Sequence, residues 1–160
     1  MKKIVFAVVM ITVFACGNDN AQPGKTEKAA DAPYNKNDLQ KIKWIEGEWM
    51  GLYNGKPFYE MYRLANDSTL EIRAYDWNGT DSSNTQMSYV YFKDGSYYLG
   101  DKQNWKVTAI TEKEIKMAPN VNANNDITWK YRDSTGWDAV LVSKTGTTTY
   151  NMKHYNPLKQ

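Results

Sequence analysis

Trp44-Ile45-Glu46-Gly47-Glu48-Trp49 stands where a short helical pattern gives way to a long series of strand-like runs. Upstream, Asp38 is placed to act as N-cap of a helix over 39–45, in which Leu39, Ile42 and Ile45 recur every three residues along one side. Gly47 ends that helix, because a residue without Cβ lets the chain turn sharply out of it. Trp49 then opens the first strand. An indole at that point can plug the near end of a barrel, burying up to about 250 Å² of surface.

Downstream of Trp49, turn signals recur about every ten residues, and the runs between them are rich in Tyr, Trp, Val, Ile and Thr, as strands are. The pattern predicts strands at 48–53, 57–64, 69–77, 87–93, 97–99, 105–111, 114–118, 127–132, 137–143 and 147–155. Asn54-Gly55 and Asp94-Gly95 are the strongest hairpin signals, since both residue types accept positive φ. Many short strands joined by tight turns make an antiparallel meander, and such a meander avoids exposed edges best by closing on itself. The expected fold is therefore all-β: an up-and-down antiparallel β-barrel of about 8–10 strands preceded by one short helix. No internal repeat is present, which argues against a propeller.

The N-terminal segment reads as an address. Lys2 and Lys3 precede a 12-residue run at 4–15 (IVFAVVMITVFA) that is apolar except for Thr12. A helix needs about 20 residues to cross a bilayer core, so this run suits the core of a signal peptide. It ends in Val13-Phe14-Ala15-Cys16, which resembles a bacterial lipoprotein signal whose Cys is acylated and becomes the mature N-terminus. An ordinary cleavage site after Val13-x-Ala15 is the competing reading. The chain's single Cys favours lipidation, because a lone free thiol is out of place in an oxidising compartment. The expectation is a signal at 1–16 with Cys16 lipidated, a polar tether at 17–37 and a barrel domain at 38–160. The protein would then sit in the bacterial cell envelope, lipid-anchored, facing the periplasm or the cell surface.

Composition narrows the function. Of 160 residues, 20 are basic and 18 acidic; losing Lys2 and Lys3 with the signal leaves the charges equal, so no basic footprint for nucleic acid exists. One Cys and one His are too few for a dedicated zinc site, and any Ser-His or Cys-His pair would have to use His154. His154 is expected to be exposed near the C-terminus. Glu46 and Glu48 could pair as acid and base in sugar hydrolysis, but nothing marks a cleft beside them. The expectation is a protein without catalytic residues, metal or cofactor.

Trp44, Gly47 and Trp49 resemble the Gly-x-Trp signature of lipocalin-like, calycin-type barrels. The chain is most similar to the short lipocalin-like domains of unknown function in bacterial secreted proteins and lipoproteins, which open with Trp-x-x-Gly-x-Trp. The resemblance spans roughly residues 40–155, and 126–132 with Gly136-Trp137-Asp138-Ala139 looks like the penultimate hairpin of those domains. It implies a barrel that takes a small molecule into its interior. Two positions depart from the pattern. Lipocalins lay a basic residue of the last strand over the signature Trp, and with no Arg after Arg132 that place would fall to Lys153 or stay empty. The stretch 118–126 also lacks the His that the bacterial domains tend to carry there.

Aromatics make up 14% of the chain, and alternation sorts them by face. Met87, Tyr89 and Tyr91 share one face of their strand, and Ile127, Trp129 and Tyr131 share one face of theirs. Either these sets only fill the barrel, or some of them line a cavity. Under the second reading the lining comes from Glu60, Tyr62, Arg73, Tyr89, Tyr91, Trp105, Trp129 and Tyr131, with Glu60 and Arg73 as a possible buried pair. Two functions follow as expectations: a membrane-anchored barrel binding a small apolar or amphipathic ligand, or a non-enzymatic surface module docking glycan or protein through exposed aromatics.

Overall fold

The computed structural model describes residues 34–156; the expected signal with Cys16 and tether residues 17–33 lie outside the described residues. A short 3₁₀ helix, Asp38–Ile45, leads into ten strands: β1 (Gly47–Tyr53), β2 (Lys56–Asn66), β3 (Thr69–Trp77), β4 (Ser82–Lys93) and β5 (Ser96–Leu99). The chain continues through β6 (Trp105–Ile110), β7 (Glu114–Pro119), β8 (Asn125–Asp133), β9 (Gly136–Ser143) and β10 (Gly146–His154). Each strand pairs antiparallel with its sequence neighbours, and β10 pairs with β1, so the sheet closes as an up-and-down barrel. The expected fold class holds, and the strands fall close to their expected places except β4, which begins at Ser82, five residues before the expected 87.

The helix is of the 3₁₀ kind, with a kink at Ile42 (φ −105°, ψ 25°). A spacing of three matches its three residues per turn, so Leu39, Ile42 and Ile45 stack on one edge, all with zero exposure. Burying each contributes roughly 1.5–3 kcal/mol. Asp38 is not the N-cap. It is the first helical residue, and its carboxylate reaches backwards to accept from the backbone N–H of Asn35 at 2.9 Å and to pair with Lys41 at 2.9 Å. Tyr34 and Asn35, expected in the tether, lie against the barrel: Tyr34 meets Tyr97 edge-on, and the Tyr97 hydroxyl donates to the Asn35 carbonyl at 3.0 Å.

The helix lies across one end of the barrel. Gln40 reaches Asp67 in the β2–β3 turn, and Trp44 packs on Tyr131 and Trp137 beside the β8–β9 turn. Below it, Trp137 (1% exposed) is ringed by Trp44, Trp49, Tyr62 and Trp129 at centroid distances of 5.4–6.2 Å. Gly47, at φ +126°, makes the turn from the helix into β1 that no L side chain makes without strain. The Trp49 indole then folds back and donates to the Ile45 carbonyl at 2.7 Å, satisfying an acceptor at the helix end.

The closing seam differs from the other ladders. Only Trp49 with His154 and Met50 with Lys153 are in register between β1 and β10. Trp49 therefore faces His154, whose ring lies edge-on at 5.1 Å. Lys153, the lysine of the last strand that could have covered Trp49, is one residue out of phase and points to the other face, opposite Met50, so among the described residues that place holds no cation. His154 is exposed, as expected. Past the ladder the seam is held by side chains: Met152 beside Gly51, and Tyr150 against Tyr53 and Phe58.

Candidate functional site

The two ends of the barrel interior differ in accessibility. Inward-facing residues near the helix are sealed, among them Tyr62 at 3%, Leu70 and Val90 at 0% and Met152 at 1%. Toward the β1–β2, β3–β4 and β9–β10 turns, Phe58, Glu60, Ala74, Ser88, Leu141 and Tyr150 are only half-buried, and Tyr53, Gln86 and Thr148 are exposed. On the β5–β8 side this end is walled by Trp105, 8% exposed, whose indole donates to the Asn125 carbonyl at 2.8 Å. The accessible part of the interior therefore lies against β1, β2, β3, β4, β9 and β10.

Register decides which candidate residues reach it. Tyr62 pairs with Ile72 and Glu60 with Ala74, which turns both β2 residues inward; Arg73 pairs with Met61 and Met87 and points outward. Glu60 and Arg73 thus lie on opposite faces of the sheet, and the expected pair does not form. Arg73 sits instead over the Tyr75 ring, 5.0 Å from its centroid. Tyr89 and Tyr91 are corrected in the same way. Their partners Glu71 and Thr69 are outward, while Val90 between them is fully buried opposite Leu70. The inward face of β4 is Ser88, Val90 and Phe92, and Tyr89 and Tyr91 cannot line the interior.

The remaining candidates are inward but unequal in access. Trp129 (5% exposed) packs in the sealed aromatic cluster with Tyr62 and Trp137, and Tyr131 packs under the helix against Trp44. Trp105 forms a wall. Glu60 alone stands at the boundary between sealed core and open end, between Trp49 of β1 and Ala74 of β3. Three residues beside it were not among the candidates: Tyr53, Phe58 and Tyr150, whose rings meet at 5.5 and 6.4 Å. Phe58 could have been found by stepping two residues back from Glu60 along β2.

Gly51 makes room for this cluster. A Cβ there would fall 2.3 Å from the Phe58 ring and 2.9 Å from the Met152 sulfur, so the absent side chain is the space Phe58 occupies.

Glu60 accepts a hydrogen bond from the Tyr62 hydroxyl at 2.7 Å, two residues along the same face. Burial pushes its carboxyl above the usual range, and the Tyr62 hydrogen bond only partly offsets that. The residue is half-buried while its carboxyl is largely desolvated. Tyr62 and Tyr150 are held in their neutral, donating forms, first by burial and then by nearby groups that include Glu60. No cation pairs with Glu60 among the described residues.

Glu46 and Glu48 have other partners. Glu46 accepts the Leu64 N–H at 2.8 Å, just past the end of the β1–β2 ladder, and Glu48, on the outer face, accepts the Tyr75 hydroxyl. Tyr59, Tyr75 and Tyr155 pack around that outer site.

No protein-family model matches the chain, and no curated protein matches it. Among solved structures it is similar to a redesigned beta barrel, at 12% identity and a TM-score of 0.35, over 71% of this chain and 93% of that one.

Proposed function

We propose that the chain is a membrane-anchored, lipocalin-like lipoprotein of the bacterial cell envelope that binds a small apolar or amphipathic molecule in the open end of its barrel. The observation that carries this reading is the gradient of accessibility. A carboxyl group and three aromatic rings stand at the half-buried end of an otherwise sealed apolar interior. Such sites combine an apolar wall with a few polar groups that orient the guest. The Trp44, Gly47 and Trp49 arrangement supports the lipocalin-like assignment. The anchor rests on Val13-Phe14-Ala15-Cys16, and more than one acyl chain there would hold the protein stably at a bilayer. The reading involves no catalysis, cofactor, metal or nucleic acid.

A ligand that binds only the folded state raises the melting temperature in proportion to its saturation. Thermal shifts with a panel of short-chain amphiphiles and aromatic compounds test the proposal. Stabilisation that is lost in Phe58→Ala and retained in Tyr89→Ala supports it. A panel with no stabilising member sinks it. For the anchor, Cys16→Ser should release the protein from the membrane fraction.

A second reading draws on the outer face. Tyr89 and Tyr91 of β4 and Tyr98 of β5 are half-buried side by side, with Tyr91 and Tyr98 at 6.3 Å. That row suits stacking on a sugar or a peptide, and loss of binding to an immobilised glycan panel in Tyr91→Ala would favour it.

A further inference from the structure

We propose that the open end of the barrel selects amphipathic cations, an alkylammonium headgroup seating against the Glu60 carboxylate with its chain in the aromatic mouth. This rests on the barrel-binding reading above and names its ligand class.

The argument starts from an unbalanced charge. Among the described residues Glu60 is the charged side chain that the register turns into the interior between rim and core. A half-buried carboxylate calls for a partner that restores what water supplied. The structure provides one neutral donor, the Tyr62 hydroxyl on Oε2, and leaves the carboxylate's further acceptor positions free for a guest. The side chain that could have neutralised it, Arg73, is turned to the outer face by the β2–β3 register.

The surroundings favour a cation as well. Tyr150 meets both Tyr53 and Phe58, and the Glu60 charge acts on its hydroxyl. Ring faces attract ammonium groups, most strongly where water is thin. Asp76, two residues beyond Ala74 at the strand end, is held by Asn84, which donates to it at 2.7 Å. The groups in phase with the site are the hydroxyls of Tyr53, Tyr62 and Tyr150, with Asp76 of β3 and the exposed Lys56 of β2, which pairs with Tyr53, as opposite charges at the rim. An anionic amphiphile would bring its carboxylate against Glu60, and an alcohol could donate one hydrogen bond to it but would gain no charge pairing.

Three probes of equal chain length separate these cases: octylammonium, 1-octanol and octanoate, each titrated into the purified protein below its aggregation limit and followed by calorimetry. The expected order at neutral pH is octylammonium tightest, by about tenfold or more over 1-octanol, and octanoate weakest. In Glu60→Gln the ammonium should fall to the affinity of the alcohol, while the alcohol stays unchanged. In the native protein the preference should also fade on acidification as Glu60 takes up a proton, with alcohol binding constant. That measurement serves where the variant does not fold. Equal affinity for amine and alcohol overturns the proposal but leaves the barrel-binding reading intact. Survival of the preference in Glu60→Gln overturns it too. Failure of all three probes to bind overturns both.

Discussion

His154 of the last strand lies edge-on against Trp49 of the first, 5.1 Å between ring centroids, and Lys153 beside it points the other way. The barrel closes here through an aromatic contact, and of the two expectations for Lys153 the structure takes the one in which it does not cover the Trp. His154→Ala should cost about 0.5–1.5 kcal/mol by denaturant unfolding. Lys153→Ala should change stability by less than about 0.5 kcal/mol. A larger loss from Lys153→Ala would mean that the seam register is wrong.

Trp137 is the hub of the sealed end, touched by four other aromatic rings and 1% exposed. Its replacement by Ala leaves a cavity that the closed strands around it cannot collapse into. The expected loss is about 3–5 kcal/mol, read from chemical denaturation. Trp49→Phe keeps a ring but removes the donor to Ile45, and should cost about 1–3 kcal/mol.

Glu60 makes stability depend on pH in an unusual direction. Burial raises its folded value above that of the unfolded chain. Above both values the full cost of the buried charge is present. As pH falls through the folded value, the native state takes up its proton first, and stability from this group rises until the unfolded value is passed. Glu60→Gln should therefore melt a few degrees higher than the native protein at neutral pH. The gap should close on acidification toward the ordinary carboxylate range. A variant that melts lower at neutral pH would show that the carboxylate is already compensated.

Asp38 supplies the opposite sign. Burial alone would raise its value, but Lys41 and the Asn35 N–H outweigh that and hold it below the usual range. Its contribution is present above the unfolded value and is lost as pH falls through the folded one. Asp38→Asn should lower the melting temperature at neutral pH and have little effect in strong acid.

The strand positions were legible because hairpin chemistry is local. Asn54-Gly55 and Asp94-Gly95 adopt the positive φ values that their residue types announce (50° and 76°, 49° and 77°). The face of β4 was not legible. Met87, Tyr89 and Tyr91 look more like a core than Ser88, Val90 and Phe92 do, and only pairing with Leu70 and Ile72 turns the second set inward. The Glu60–Arg73 pairing failed for the same reason, since cross-strand register lies in no single strand's pattern. Tyr53, Phe58 and Tyr150 escaped notice because their role depends on which end of the barrel the helix covers. Trp49 turning back onto Ile45 fixes that choice.

The two-pair ladder between β1 and β10 has a mechanical consequence. Most of the seam between those strands is closed by Met152, Tyr150, Tyr53 and Phe58, whose contacts break by rotamer changes without loss of main-chain hydrogen bonds. A wall built that way acts as a zipper with soft teeth. If the seam opens, the open half should part before the Trp49–His154 end, where the ladder pairs lie. Under the barrel-binding proposal, a guest with a tail longer than the interior would find its way out between these two strands, not over the rim.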